Sequence, residues 1–210
     1  MAGMTEDDFI LAAWNGDLWG VEMFLAEGGS LEARSSWGAG PLIARDPAVF
    51  NYLLQRGADP FAEYRPLLTQ VWEVCPDNVE TLLSLGVNVH GEPTPAGDSL
   101  ETPLHLAVSK PGDQEARLRI VQALLRHGAE PNRRAGTDVV SSCFWRDVRV
   151  VGETPLHRAA AYCSHEIIDA LLAAGADRGI RDARGESAQS WASRHWRELI
   201  LVEHLAAQLN

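Results

Sequence analysis

Glu101-Thr-Pro-Leu-His-Leu-Ala-Val108 and Glu153-Thr-Pro-Leu-His-Arg-Ala-Ala160 are two copies of one phrase, and the phrase opens a helix. The hydroxyls of Thr102 and Thr154 suit a helix N-cap. Pro103 and Pro155 then fall in the first turn, where a missing N–H costs little. Leu104 and Leu156 begin an apolar stripe, and Ala107 and Ala159 keep that face thin enough for another helix to stack on it.

Downstream of each phrase lies a second signature: an apolar residue, two more three and four places on, and a glycine seven places on. It occurs as Val21-Phe24-Leu25-Gly28, Phe50-Leu53-Leu54-Gly57, Val79-Leu82-Leu83-Gly86, Val121-Leu124-Leu125-Gly128 and Ile168-Leu171-Leu172-Gly175. A degenerate copy, Val202-Leu205-Ala206, closes the chain without the glycine. The spacing places the apolar residues on one helix face, and the glycine ends the helix by taking positive φ. One such helix pair cannot bury its own face, so the units must stack as a linear array.

Thr-Pro-Leu-His followed by Leu-Leu-x-x-Gly-Ala resembles the ankyrin repeat, over nearly the whole chain from about Phe9 to Leu205. The resemblance implies an all-α fold: an ankyrin-repeat solenoid of about six helix-pair repeats with extended finger loops. A single domain, 1–210, is expected, with repeats near 5–34, 35–63, 64–91, 92–134, 135–181 and 182–210. It also implies a concave face of inner helices and fingers that binds partner proteins. His105 and His157 are implied to be structural, bonding the finger backbone and the capping threonine.

The signature glycines are 29, 29, 42 and 47 residues apart, against a family period of ~33. Between Gly28 and Gly57 the inner helix is shortened to Gly40-Pro41-Leu42, and between Gly57 and Gly86 the finger is clipped. Extra residues fall at Gly91–Ser99, at Lys110–Arg117 between two helices, and in a long finger from about Ala135 to Val151. That finger, with Val139-Val140 and Val148-Arg149-Val150, predicts a hairpin or an ordered loop.

The net charge of −11 is uneven: residues 1–100 hold 15 acids and 4 arginines, and the remainder balances. An acidic first half repels nucleic acid and anionic membranes and attracts a basic partner. The acidic start, Met1 to Asp8, does not read as a secretory leader, and no apolar run has the ~20 residues of a membrane span. Cys75, Cys143 and Cys163 are too few for a disulfide framework and are read as reduced cytoplasmic thiols. One lysine against 17 arginines fits GC-rich bacterial coding. The run from Phe144 to Ala160 is also similar to bacterial ankyrin proteins, some encoded beside toxins.

Family members recognise partners with finger tips and the exposed ends of inner helices. Carried onto this chain, those positions give Trp14, Trp37, Trp72, Glu73, Arg134, Tyr162, Arg184 and Glu186. The long finger adds Phe144, Trp145, Arg146 and Arg149. Arg158, where the family usually has leucine, is expected either to pair with an acid or to face the groove. Large aromatics and arginines dominate interface energies; the competing role for each indole is packing between repeats.

The expectation is a non-enzymatic, cytoplasmic, monomeric binding module without cofactor, nucleic acid or membrane. It would recognise a partner protein through the concave groove and the extended fingers of the second half, masking a basic partner such as a toxin or enzyme in the manner of an immunity protein, or acting as a scaffold. The competing class is a zinc or enzymatic protein built on Cys143, His157, Cys163 and His165, residue types that ligate zinc.

Overall fold

The computed structural model describes residues 3–63, 65–91, 99–141, 143, 149–195 and 205. The chain divides into two units, Met1–Val87 and Asn88–Asn210.

In the first unit, α1 (Glu6–Asn15) and α2 (Leu18–Ala26) form the opening pair. Thr5 caps α1 through a capping box with Asp8, and Asp17 caps α2. The rings of Phe9 and Phe24 stack at 4.2 Å between the two helices. The next inner helix is reduced to a three-residue 3-10 turn, Pro41–Ile43, followed by α3 (Pro47–Gln55). The third pair is α4 (Pro66–Trp72) and α5 (Pro76–Ser84). Proline stands first in the 3-10 turn and in α3, α4 and α5, where its fixed φ suits a helix start.

So short a turn leaves carbonyls without a helical ladder, and a buried amide pair takes their place. Gln70 Nε2 donates to Leu42 O at 2.7 Å and to Ala44 O at 3.1 Å. Asn78 Nδ2 donates to Ala44 O at 3.0 Å and to Gln70 Oε1 at 3.0 Å. Both amides are fully enclosed, so these bonds satisfy groups that would otherwise cost about 1–3 kcal/mol each.

The second unit pairs α6 (Pro103–Ala107) with α7 (Gln114–Arg126), and α8 (Pro155–Tyr162) with α9 (His165–Ala173). It then adds α10 (Ala188–Arg194) against α8. The insertion at Lys110–Arg117, read as a connection, is partly helical instead: α7 begins at Gln114 and is longer than α9. Asp113 caps it, and Arg117 turns inward to donate to Ala107 O at 2.9 Å, at the end of the short α6. The long finger forms a two-stranded antiparallel ribbon of β1 (Thr137–Val140) and β2 (Arg149–Val151). Thr137 pairs with Val151 and Val140 with Arg149. Asp138, at φ 58°, absorbs the extra residue as a bulge.

The five signature glycines all have φ between 87° and 99°. At the end of α7, Gly128 N–H donates to Leu125 O and Ala129 N–H to Leu124 O. The same two bonds recur after α2, α3, α5 and α9, so each outer helix ends in a Schellman motif. Of the closing degenerate copy only Leu205 lies within the described residues; it is helical and buried.

Candidate functional site

Fingers in the second unit are joined at their bases by backbone hydrogen bonds. Gly136 N–H donates to Ser99 O at 2.6 Å, Gly152 N–H to Gly136 O at 2.7 Å, and Ala183 N–H to Val151 O at 2.7 Å. The ribbon is therefore tied to the segment before α6 on one side and to the 182–186 turn on the other.

Beneath the ribbon sits a buried charge cluster. Arg158 Nε donates to Glu153 Oε1 at 3.0 Å, Nη1 to Ser109 Oγ at 2.9 Å, and Nη2 to Glu101 Oε1 and Glu153 Oε1 at 2.5 Å each. The side chains of Arg158, Glu101 and Glu153 are 0%, 1% and 4% exposed. The ribbon joins in: Ser141 Oγ donates to Glu101 at 2.6 Å, and Val151 N–H to Glu153 Oε2 at 2.8 Å. The Glu101 and Glu153 charges hold the guanidinium in its protonated form against the penalty of burial. Arg158 is thus corrected from a partner contact to an internal brace; of the two roles open to it, pairing with acids is the one realised.

His157 is held on both sides of its ring. Thr154 N–H donates to Nδ1 at 3.2 Å, and Nε2 lies 3.1 Å from Glu186 O, which fixes the neutral tautomer protonated on Nε2. His105 Nδ1 accepts from Thr102 N–H at 3.2 Å. Burial lowers the pKa of His105 to about 3 and that of His157 to about 4. Cys143 is pushed up to about 12 by burial and remains a thiol. Cys163 donates to Val108 O at 3.6 Å. With His157 engaged at both nitrogens, the proposed Cys143/His157/Cys163/His165 set does not assemble. Among the described residues no group of three or more His, Cys, Asp or Glu is placed to hold a metal ion.

The expected contact residues divide by exposure. Trp14 (40%) and Trp37 (54%) are open, as are Arg134, Arg149 and Arg184. Trp72 is half-buried, and Glu73 pairs with Arg45 at 3.5 Å. Tyr162 is half-buried against His195, ring centroids 5.1 Å apart. Glu186 pairs with Arg194. Arg149 clasps Asp138 at the bulge. Phe144, Trp145 and Arg146 lie outside the described residues.

Two exposed aromatics escaped the sequence reading: Phe61 (62%), on the finger after Gly57, and Trp19 (68%), on α2. Phe61 had a signal, an apolar residue inside the Asp59 turn where solubility asks for a polar one.

Within the first unit the exposed groups are connected. Asp7 accepts from Ser36 N–H at 2.7 Å and from its hydroxyl at 3.0 Å, which sets the finger bearing Trp37 beside α1. Leu11 and Trp14 follow Asp7 at i+4 and i+7 on that helix and are both exposed. The unit carries 13 acids against 4 arginines.

The ankyrin repeat family model matches residues 99–135 and 151–183. The crystal structure of the human ASB11 ankyrin repeat domain superposes with a TM-score of 0.70 and 26% identity, covering 94% of this chain and 82% of that one. Among curated proteins, the inactive serine/threonine-protein kinase TEX14 of Bos taurus is 33% identical over 89 residues, 41% of this chain and 5% of that protein. Its Mus musculus counterpart is 33% identical over 75 residues, 36% of this chain and 4% of that protein. The match thus spans about a twentieth of the length of those relatives. Repeats of this kind generally mediate protein–protein interaction.

Proposed function

This chain is an ankyrin-repeat protein, and on that premise we propose that it is a non-enzymatic module whose first unit seats a basic partner protein and masks it, as an immunity-type inhibitor does. The observation that carries the reading is the coincidence of charge and aromatics in that unit. A net −9 surrounds exposed Trp14, Trp37 and Phe61, on the inner helix and the fingers. Charge draws a basic surface in and speeds encounter; the aromatics supply the apolar contact. Buried free thiols at Cys143 and Cys163 fit a reducing cytoplasm. The arginine-for-lysine skew fits a bacterial source, and a monomer leaves these faces open to the partner.

Affinity capture from the source organism tests this, with the wild type against a W37A/F61A variant. Both substituted residues are exposed, so stability should change by less than about 0.5 kcal/mol. The wild type should retain a basic protein that is released by salt and whose activity falls when the chain is added back. Equal retention by the variant, or capture of an acidic protein, overturns the proposal.

A further inference from the structure

The second unit carries a different kind of surface, at the finger bases. Arg133, Arg134, Arg181 and Arg184 are all exposed. Arg134 Nη2 donates to Arg181 O at 2.5 Å, so two adjacent fingers bring these side chains together. Arg181 Nη1 in turn donates to Gly185 O at 2.9 Å, within the turn that holds Arg184. Arg133 and Arg134 stand close enough for their charges to reach the buried rings of His105 and His157 respectively.

Their partners set these four apart from other arginines of the chain. Arg45, Arg149, Arg158 and Arg194 each pair with a carboxylate. Among the described residues none of the four finger arginines does. Where they are held, backbone carbonyls hold them, and a carbonyl orients a guanidinium without cancelling its charge. Both acids of their turn are taken: Asp182 is buried and accepts from Arg184 N–H, Glu186 N–H and Trp191 Nε1, and Glu186 pairs with Arg194. Exposed Glu130, Asp138 and Asp177 also lie on these fingers; Asp138 faces Arg149 and Asp177 accepts from Gly179 N–H.

We propose that this arginine face binds an acidic protein segment, rich in Asp and Glu. Guanidinium forks pair with carboxylates bidentately. The bases beneath them are tied by the Gly136, Gly152 and Ala183 backbone bonds, so little loop entropy is lost on docking. Nucleic acid is the weaker match: the chain's −11 repels a long polyanion. The inference is independent of the basic partner assigned to the first unit, because it uses other residues and the opposite charge.

The test is fluorescence anisotropy at low salt on the intact chain. Three labelled probes are used: a peptide of alternating Glu and Ser, its Lys–Ser counterpart, and an oligothymidylate of the same net charge as the acidic peptide. The acidic peptide should bind and be displaced by added salt. The R133Q/R184Q variant should lose about tenfold in affinity for it. Neither of those side chains makes a bond among the described residues, so the variant should keep the wild-type circular dichroism spectrum. Binding of the Lys–Ser peptide should be unaffected by R133Q/R184Q. The proposal is overturned if the acidic peptide does not bind, if the variant binds it as the wild type does, or if oligothymidylate binds more tightly than the peptide.

Discussion

The two units fill their polar interiors with different chemistry. The first uses neutral amides, Gln70 and Asn78, to catch the carbonyls of a shrunken inner helix. The second uses full charges, with Arg158 between Glu101 and Glu153, to hold a lengthened finger. Histidine divides in the same way: residues 1–87 contain none, while His105 and His157 sit buried in the second unit. An irregular repeat therefore has more than one remedy, and the remedy fixes how the unit responds to mutation and to acid.

The charged interior is the more fragile to truncation. R158A strands two carboxylates in the interior and should cost about 3–5 kcal/mol in urea unfolding. Restoring neutrality with E101Q/E153Q/R158M should recover most of that loss; if it does not, the cluster contributes through packing rather than charge.

Acid should separate the units next. Both histidine pKa values are depressed in the fold, so protonation favours the unfolded chain. Their contribution is complete above the unfolded value of about 6.5. It fades as pH falls from there towards about 4 for His157 and about 3 for His105. At pH 5 each imidazole should account for a loss of about 2 kcal/mol. Hydrogen exchange at pH 7 and pH 5 should show α6 and α8 loosening before α1 and α2. Uniform loosening would remove this contrast.

The neutral interior should yield less. Q70A removes the donor to Leu42 O and Ala44 O and should destabilise by about 1–3 kcal/mol, read as a shift in the urea midpoint at constant slope. Smaller still is V74G. Val74 takes φ 60° at the end of α4, where its N–H donates to Val71 O and Cys75 N–H to Gln70 O. Gly16 occupies the matching place after α1. A β-branched residue there is strained, so glycine should raise stability by about 1 kcal/mol. A loss would mean that the Val74 side chain contributes more by packing than it costs in strain.

Much of this fold was readable because its periodic parts are local. The i, i+3, i+4 stripe and the glycine seven places on specify an outer helix and its Schellman end without reference to anything distant. Thr102-Pro103 and Thr154-Pro155 do the same for the inner starts. The shortened helix at Pro41 followed from counting residues between glycines. Arg158 was harder, since its two glutamates lie 57 and 5 residues away and only folding reveals that they converge. Arg134, Arg149 and Arg184 were visible as candidate contacts on the fingers. Which of them are neutralised was not, because whether a carbonyl or a carboxylate faces a guanidinium depends on finger geometry rather than spacing. Trp19 was legible too, since it precedes Val21 by two places and so falls on the face of α2 opposite the Val21-Phe24-Leu25 stripe.

The pairing of Thr137 with Val151, above the Arg158 brace, has a bearing on how this protein can change. The base of the ribbon is anchored by backbone bonds at Gly136, Gly152 and Ala183, and Ser141 and Cys143 add buried anchors further along. Lengthening a loop between fixed ends costs only about 0.6 kcal/mol per doubling. Added sequence is therefore best tolerated between Cys143 and Arg149, beyond those anchors. New specificities can be spliced in there while the helices that carry it go on folding unaltered.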